Sequence, residues 1–505
     1  MRPRTFAAAA AIAVTAFPLG AAAQNDGVLD IVAPFEIKGA DPTTSGSIFI
    51  KMDVAETLVN ADADGELVPG LATHWEVSED GLVWRFHLRD GVVFHDGTPF
   101  TAEAAVRALS VARDKPGLLA QAPISAIEAD AGDLLIRLTE PFAPMPAFLS
   151  EYRSLIYAPA AYAEDGSVEA VIGTGAYRVT RMEAPLKLTV EAFDAYWDGA
   201  PAVERAVYHS VGRAETRALM AESGDADYVF NLDPASVARL GTDDRLEVLS
   251  VSVPRSLLVK VNVAHPFLAD IRARQALSLA IDRDGLAMAI LRYPAGANQL
   301  FPPSMRAWHG QAVAPLDHDP DAARALLAEL GWAPGPDGVL LRDGARFALT
   351  LTTYPDRPEL PLTAAVLQQM FAEIGIEVTI DSTNSSEIPV RHGDGTLELA
   401  LLARNFALVP DPLGTLLTDY APAGDWGAMG WENAEFTALI RDLAQGAGDQ
   451  AARDRAIEIL QADLPVVPVA WYQQTAAVSR KITGAIMDPY ERSIGLRHIR
   501  WSEAH

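Results

Sequence analysis

The chain has no cysteine in 505 residues. That excludes disulfides, thiolate metal sites and cysteine nucleophiles, and it removes the acylated cysteine by which a secreted lipoprotein is tethered. Positive charge is scarce: 40 Lys and Arg face 67 Asp and Glu, a net charge of -27. A surface of that sign repels phosphate backbones and anionic lipid, so nucleic acid is not an expected partner. Long apolar runs are missing after the first two dozen residues, and none reaches the ~18 residues that cross a bilayer. The familiar enzyme signatures are also absent. There is no G-x-S-x-G elbow, Walker loop, G-x-G-x-x-G or H-E-x-x-H.

The N-terminus is a case of its own. Arg2 and Arg4 precede an apolar or small stretch from Phe6 to Leu19, followed by Ala21-Ala22-Ala23. This is the layout of a secretory signal (1–23), with cleavage expected before Gln24 and release of a soluble mature chain. Half of the sequence is hydrophobic, and its length calls for two or three packed units.

The most informative stretch is LATHWEVSEDGLVWRFHLRDGVVFHDGTPFTAEAAV, Leu71 to Val106. Leu82, Trp84, Phe86 and Leu88 alternate with Val83, Arg85, His87 and Arg89, the period of a half-buried strand. Asp80-Gly81, Asp90-Gly91 and Asp96-Gly97 supply turns, and Thr101 with Glu103 reads as the start of a helix. A second block, VIGTGAYRVTRMEAPLKLTVEAFDAYWDGAP, runs from Val171 to Pro201. A third, VKVNVAHPFLADIRARQALSLAIDRDGLAMAIL, from Val259 to Leu291, predicts a strand, a loop and a long helix. Ile48 to Val59 also reads as helical, after a loop over Asp41 to Ser47. Asp319 and Asn433 are expected to cap helices, Leu397 to Ala403 and Leu464 to Tyr472 to be buried strands, and 347–353, 362–374 and 376–380 to form a strand-helix-strand unit.

Taken in this order, the three blocks resemble the peptide and nickel class of extracytoplasmic solute-binding proteins, solute-binding protein family 5. The match is imperfect: Ala176 stands where the family commonly has proline, and Phe193 where it has asparagine. The resemblance implies an α/β, two-lobed periplasmic-binding-protein fold of type II, with an extra subdomain in lobe one. The expected division is 24–60 with 175–255 and 480–505 as the core of lobe I, 61–174 as the subdomain, and 256–479 as lobe II. It further implies a periplasmic, monomeric receptor without lipid anchor or cofactor, and not an enzyme. That receptor would pass a peptide-like ligand or a nickel or other metal chelate from the inter-lobe cleft to the permease and ATPase subunits of an ATP-binding-cassette importer. An accessory chemoreceptor or chaperone-like module, or a secreted hydrolase, remains open as an alternative.

The ligand contacts expected in that cleft are Arg153, Tyr354, Arg357, Arg404, Asn405, Phe406, Tyr420 and Trp426. Arginine suits a ligand carboxylate because its planar fork bonds bidentately. The competing reading for Arg153 and Arg404 is a salt bridge to one of many acids, and for Tyr420 and Trp426 simple packing. Within LLARNFALVPDPLGTLL, Leu401 to Leu417, the peptide binders of the family commonly place an aspartate where this chain has Leu408. Nickel binders often place an aromatic where Phe406 stands, while a histidine used by some of them has no counterpart around Pro422-Ala423-Gly424. Loss of the aspartate disfavours a free peptide amino group and points to a carboxylate-rich or N-blocked ligand. His87 and His95 are expected to be structural.

Overall fold

The computed structural model describes residues 27–502, apart from 312, 356, 358, 407–408 and 421–425. The signal-like segment, Leu408 and Pro422 to Gly424 therefore lie outside the described residues.

Among the described residues, ten strands form one continuous sheet. Their spatial order is Glu377–Ser382, Ala348–Thr353, Leu399–Asn405, Leu246–Val261, Val466–Ser479, Tyr228–Phe230, Val28–Ala33, Arg205–Ser210, Lys187–Ala192 and Tyr177–Glu183. The two long central members, Leu246–Val261 and Val466–Ser479, run antiparallel through the whole sheet and serve both ends of it. Their first halves and second halves belong to different cores. Leu257 to Val261 pack with residues up to Ala470 in one hydrophobic cluster, whereas Ala476 and Val478 join Leu29, Tyr177 and Tyr228 in another.

Between those halves the pairing slips. Ser252 faces Gln473 and Ser256 faces Trp471, so three residues, Val253 to Arg255, stand opposite Tyr472 alone. Pro254 explains part of this, since it has no N–H to give the ladder. Such a bulge bends its strand and re-aims side chains; here it directs Arg255 and Tyr472 to the place where the two cores meet.

A separate four-stranded sheet, ordered Ala72–Val77, Val83–Leu88, Asp133–Leu138 and Ile124–Asp130, carries the signature hairpin. Helix Ala102–Arg113 packs on it, and the Thr101 hydroxyl accepts from Ala104 N at 3.3 Å, as expected for its cap. A third hydrophobic cluster, from Leu58 to Ala158, fills this unit. His87 stacks on His74 and lies 3.1 Å from Asp133, an arrangement of the sheet surface.

Local signals read correctly elsewhere as well. Asp319 accepts from Ala322 N, Asn433 from Phe436 N, and Ala348–Thr353, Glu359–Glu373 and Glu377–Ser382 form a parallel strand-helix-strand unit. Two expectations need correction. The first long helix is Pro42–Lys51, not 48–59, because Asp41 accepts from Thr43 N at 2.9 Å and Pro42 opens the first turn. The third block holds a broken helix: Ile271–Leu279 stops, and Asp282 caps a new turn at Arg283 by accepting from Gly285 N. Arg283 then turns inward to Ser278 O and Pro468 O, which a continuous helix does not allow.

The Gly173-Thr174-Gly175 turn is held by chain crossing. A β-carbon on Gly173 would meet Val54 O at 2.2 Å, and one on Gly175 would meet Asp53 O at 2.1 Å. Two titrating groups of opposite sense flank this turn. Glu56 accepts from Thr174 Oγ1, Tyr196 Oη and Trp197 Nε1, and burial raises its carboxyl from 4.5 to about 7 against those donors. His95 contacts Gly175 O through Nε2 at 2.9 Å, and burial lowers its imidazole from 6.5 to about 4. The stabilisation tied to protonated Glu56 is complete below 4.5 and lost as pH rises through 7. That tied to neutral His95 is complete above 6.5 and lost as pH falls through 4. The two slopes oppose each other between about pH 4.5 and 6.5. Glu56→Gln is therefore expected to lose stability on acidification, by up to about 1.4 kcal/mol per pH unit, where the parent is nearly flat. Urea titrations at pH 4.5 to 7.5 check this, and parallel profiles for the two proteins count against it.

Candidate ligand-binding cleft

The bulge places Tyr472 near two guanidinium groups. Arg255 lies 5.2 Å from its ring centroid and Arg357 5.6 Å from it, distances at which a cation is held by the ring face. Arg255 comes from the first crossover strand, and Arg357 from the loop that follows strand Ala348–Thr353. Arg255 is further tied to Glu491, Nη2 to Oε2 at 2.9 Å, and Glu491 also accepts from Gln474 Nε2 at 2.7 Å. The Arg357 side chain has no hydrogen bond or ion pair among the described residues; its backbone carbonyl accepts from Leu360 N at 3.0 Å. Burial alone lowers its pKa, but Tyr472, Glu359, Tyr354 and Glu491 outweigh that and keep it firmly charged. Lys51, at the end of helix Pro42–Lys51, also acts on Glu491; burial lowers its pKa, against Glu491 and Asp488.

The eight expected ligand contacts divide on geometry. Arg357 is half-buried, and Tyr354 lies beside it, its hydroxyl accepting from Ala403 N at 3.4 Å. Arg153 and Arg404 already hold carboxylates of the chain. Arg153 Nη1 is 2.5 Å from Glu151 Oε1, whose residue is fully buried, and Arg404 grips Asp419 with both Nε and Nη2. Asn405 is half-buried and pairs across the strands with Arg255. Phe406 is wholly buried against Phe301, ring centroids 4.9 Å apart, and Tyr420 packs on Trp431 and Phe436. Trp426 is partly buried against the same core. In this conformation, then, Arg357 and Tyr354 gather at Tyr472, while Phe406 and Tyr420 serve the core behind it.

Arg255, Tyr472, Gln474, Glu491 and Lys51 were not anticipated. A weak signal existed for Arg255, a lone charge after proline inside the apolar string VSVPRSLLV. Glu491 had none.

At the rim the subdomain touches the other core directly. Ala143 N donates to Ala444 O at 2.7 Å, Val409 packs into the cluster of Leu58 to Ala158, and Gly414 is backed by Phe148, where a β-carbon would sit 2.9 Å from its ring. A pair of bulged strands thus runs from one core to the other, and the guanidinium groups of Arg255 and Arg357 stand near Tyr472 as the cationic floor of the candidate cleft. Residues 66–426 match the family model described as bacterial extracellular solute-binding proteins, family 5, middle.

The chain belongs to that family.

Among curated relatives, the nickel-binding periplasmic protein of Escherichia coli (strain K12) is 26% identical over 455 residues, spanning 85% of this chain and 84% of that protein. The dipeptide-binding protein of the same strain is 26% identical over 466 residues, 84% of either chain. Of solved structures, NikA from Brucella suis in complex with Fe(III)-EDTA superposes with a TM-score of 0.86 at 22% identity, covering 94% of this chain and all of that one. The fold is the type II periplasmic-binding-protein fold, and family members bind solutes for transporters rather than catalyse reactions.

Proposed function

We propose that this solute-binding protein is the periplasmic receptor of an ATP-binding-cassette importer, that it captures a carboxylate-bearing ligand between its lobes, and that hinge closure presents it to the permease. The observation that carries the reading is Arg357, a charged fork with no ion-pair partner among the described residues, held over Tyr472 where the crossover strands change core. A guanidinium in that position matches a carboxylate bidentately. The relatives named above bind nickel and dipeptides, and the Brucella suis protein was solved with Fe(III)-EDTA. Among the described residues no three His, Asp or Glu side chains converge as a metal-ligand set. A metal cargo is accordingly expected as a chelate whose own carboxylates reach arginine, with an N-blocked peptide-like ligand as the second class. The lobes are assigned as 24–60, 175–255 and 480–505 for the first, with 61–174 as its subdomain, and 256–479 for the second; the separate hydrophobic clusters support that division except at its edges, where Leu155, Tyr157 and Ala161, and Ala476 and Val478, pack with the core of the first.

Calorimetry with metal-EDTA chelates, N-acetylated peptides and free di- and tripeptides tests the ligand class. Chelates or blocked peptides are expected to bind more tightly than free peptides, and sub-micromolar affinity for unmodified short peptides contradicts the reading. Location is tested by intact mass: a mature chain starting near Gln24, released by osmotic shock, is expected. Retention of residues 1–23, or recovery with membranes after a high-salt wash, argues against it.

A further inference from the structure

The segment around Asp488 to Arg492 brings Glu491 to both crossover strands, where it meets Arg255 of one and Gln474 of the other. Its backbone is left-handed there, with φ 56°, and Glu491 N donates to Asp488 O at 2.9 Å. One carboxylate oxygen accepts from Arg255 on the first strand, the other from Gln474 on the second. Both donors are nine-tenths buried, yet each keeps a polar atom without a hydrogen-bond partner among the described residues: Nη1 of Arg255 and Oε1 of Gln474. A donor and an acceptor are therefore left unused on the two residues that hold Glu491. Buried polar atoms of this kind are uncommon and call for a physical explanation.

The charges around this point can be counted. Lys51, Arg255, Arg357 and Arg492 stand against Glu359, Asp488 and Glu491, and these groups act on one another electrostatically. The Arg153–Glu151 and Arg404–Asp419 pairs cancel internally. Among the described residues one net positive charge remains. Without Glu491 it would be two.

We propose that Glu491 is a built-in counter-ion that limits this cleft to ligands of a single net negative charge. The inference rests on the carboxylate-ligand reading above and sharpens it. Glu491 takes up Arg255 as a second ligand carboxylate otherwise would, which leaves Arg357 for the ligand. A second ligand charge then meets Glu491 at close range, in a medium where charge repulsion of this kind changes affinity by roughly tenfold or more.

Two chelates of the same organic ligand and different charge read this directly: ferric-EDTA, singly negative, and nickel-EDTA, doubly negative. The unmodified protein is expected to bind the ferric chelate roughly tenfold more tightly, and Glu491→Gln to abolish or reverse that preference. Glu491→Asp, which keeps the charge but shortens the reach, should retain the preference even if both affinities fall; a purely structural role predicts equal losses for both chelates in both variants. N-acetyl-alanyl-alanine and N-acetyl-alanyl-aspartate provide the same step in charge without a metal. No binding of any of the four probes, or binding indifferent to Arg357→Ala, overturns the ligand reading. Equal binding of singly and doubly charged probes, or a ratio unchanged in Glu491→Gln, overturns the role of Glu491 while leaving that reading in place.

Discussion

Arg404→Ala is expected to lower stability by about 3 to 5 kcal/mol, the scale for removing one member of a buried pair, and to weaken ligand binding mainly through that loss. Arg404 sits at the end of strand Leu399–Asn405 and holds Asp419 with two nitrogens, while Asp419 is 2% exposed. Alanine takes both guanidinium nitrogens away from that buried carboxylate at the end of helix Leu413–Asp419. Arg404→Lys keeps the charge but not the fork and should recover only part of the loss. The double variant Arg404→Ala, Asp419→Asn should recover more, because the buried charge that the guanidinium offset is gone as well. Urea unfolding of the four proteins decides it. Unchanged stability together with a hundredfold loss of affinity would move Arg404 from the framework to the ligand.

Arg404 also shows where sequence reading works and where it stops. The hairpin of Leu71 to Val106, the caps at Thr101, Asp319 and Asn433, and the strand-helix-strand unit were legible because each is decided within a few residues, by turn chemistry, side-chain capping and period. The same locality misled at Asp41, where a Pro-Thr-Thr-Ser-Gly string looks like loop until Asp41 is seen to satisfy the first free N–H. The cleft is decided at long range. Arg255 meets Glu491 across 236 positions, and Lys51 acts on the same carboxylate from the far end of the chain. With 67 acidic residues in the sequence, no spacing rule singles out Asp419 for Arg404 or Glu151 for Arg153. The arginines were visible as exceptions to an acidic composition; which of them keeps its fork for a ligand depends on partners that only the folded chain brings near.

Arg357 is the one whose loss should be felt in binding rather than folding. It makes no ion pair or hydrogen bond through its side chain among the described residues, so alanine there breaks none of these, and Glu491 keeps Arg255 and Gln474. Removing a guanidinium that meets a desolvated ligand carboxylate costs about 2 to 5 kcal/mol of affinity, whereas a merely surface-exposed charge contributes under about 1 kcal/mol. Arg357→Ala is thus expected to weaken the best-binding carboxylate probe by at least thirtyfold with a thermal midpoint close to that of the parent. Arg357→Lys should recover less than half of the binding free energy, because a point charge does not reproduce the fork. Tyr472→Phe keeps the ring beneath both guanidinium groups and is expected to leave affinity within about threefold, while Tyr472→Ala removes the support and weakens binding toward the level of Arg357→Ala. Calorimetry of these four variants, with scattering measured with and without ligand to follow closure, gives the answer. Parent-like affinity and closure in Arg357→Ala would take the carboxylate away from Arg357 and leave the cationic floor of the cleft without its proposed occupant.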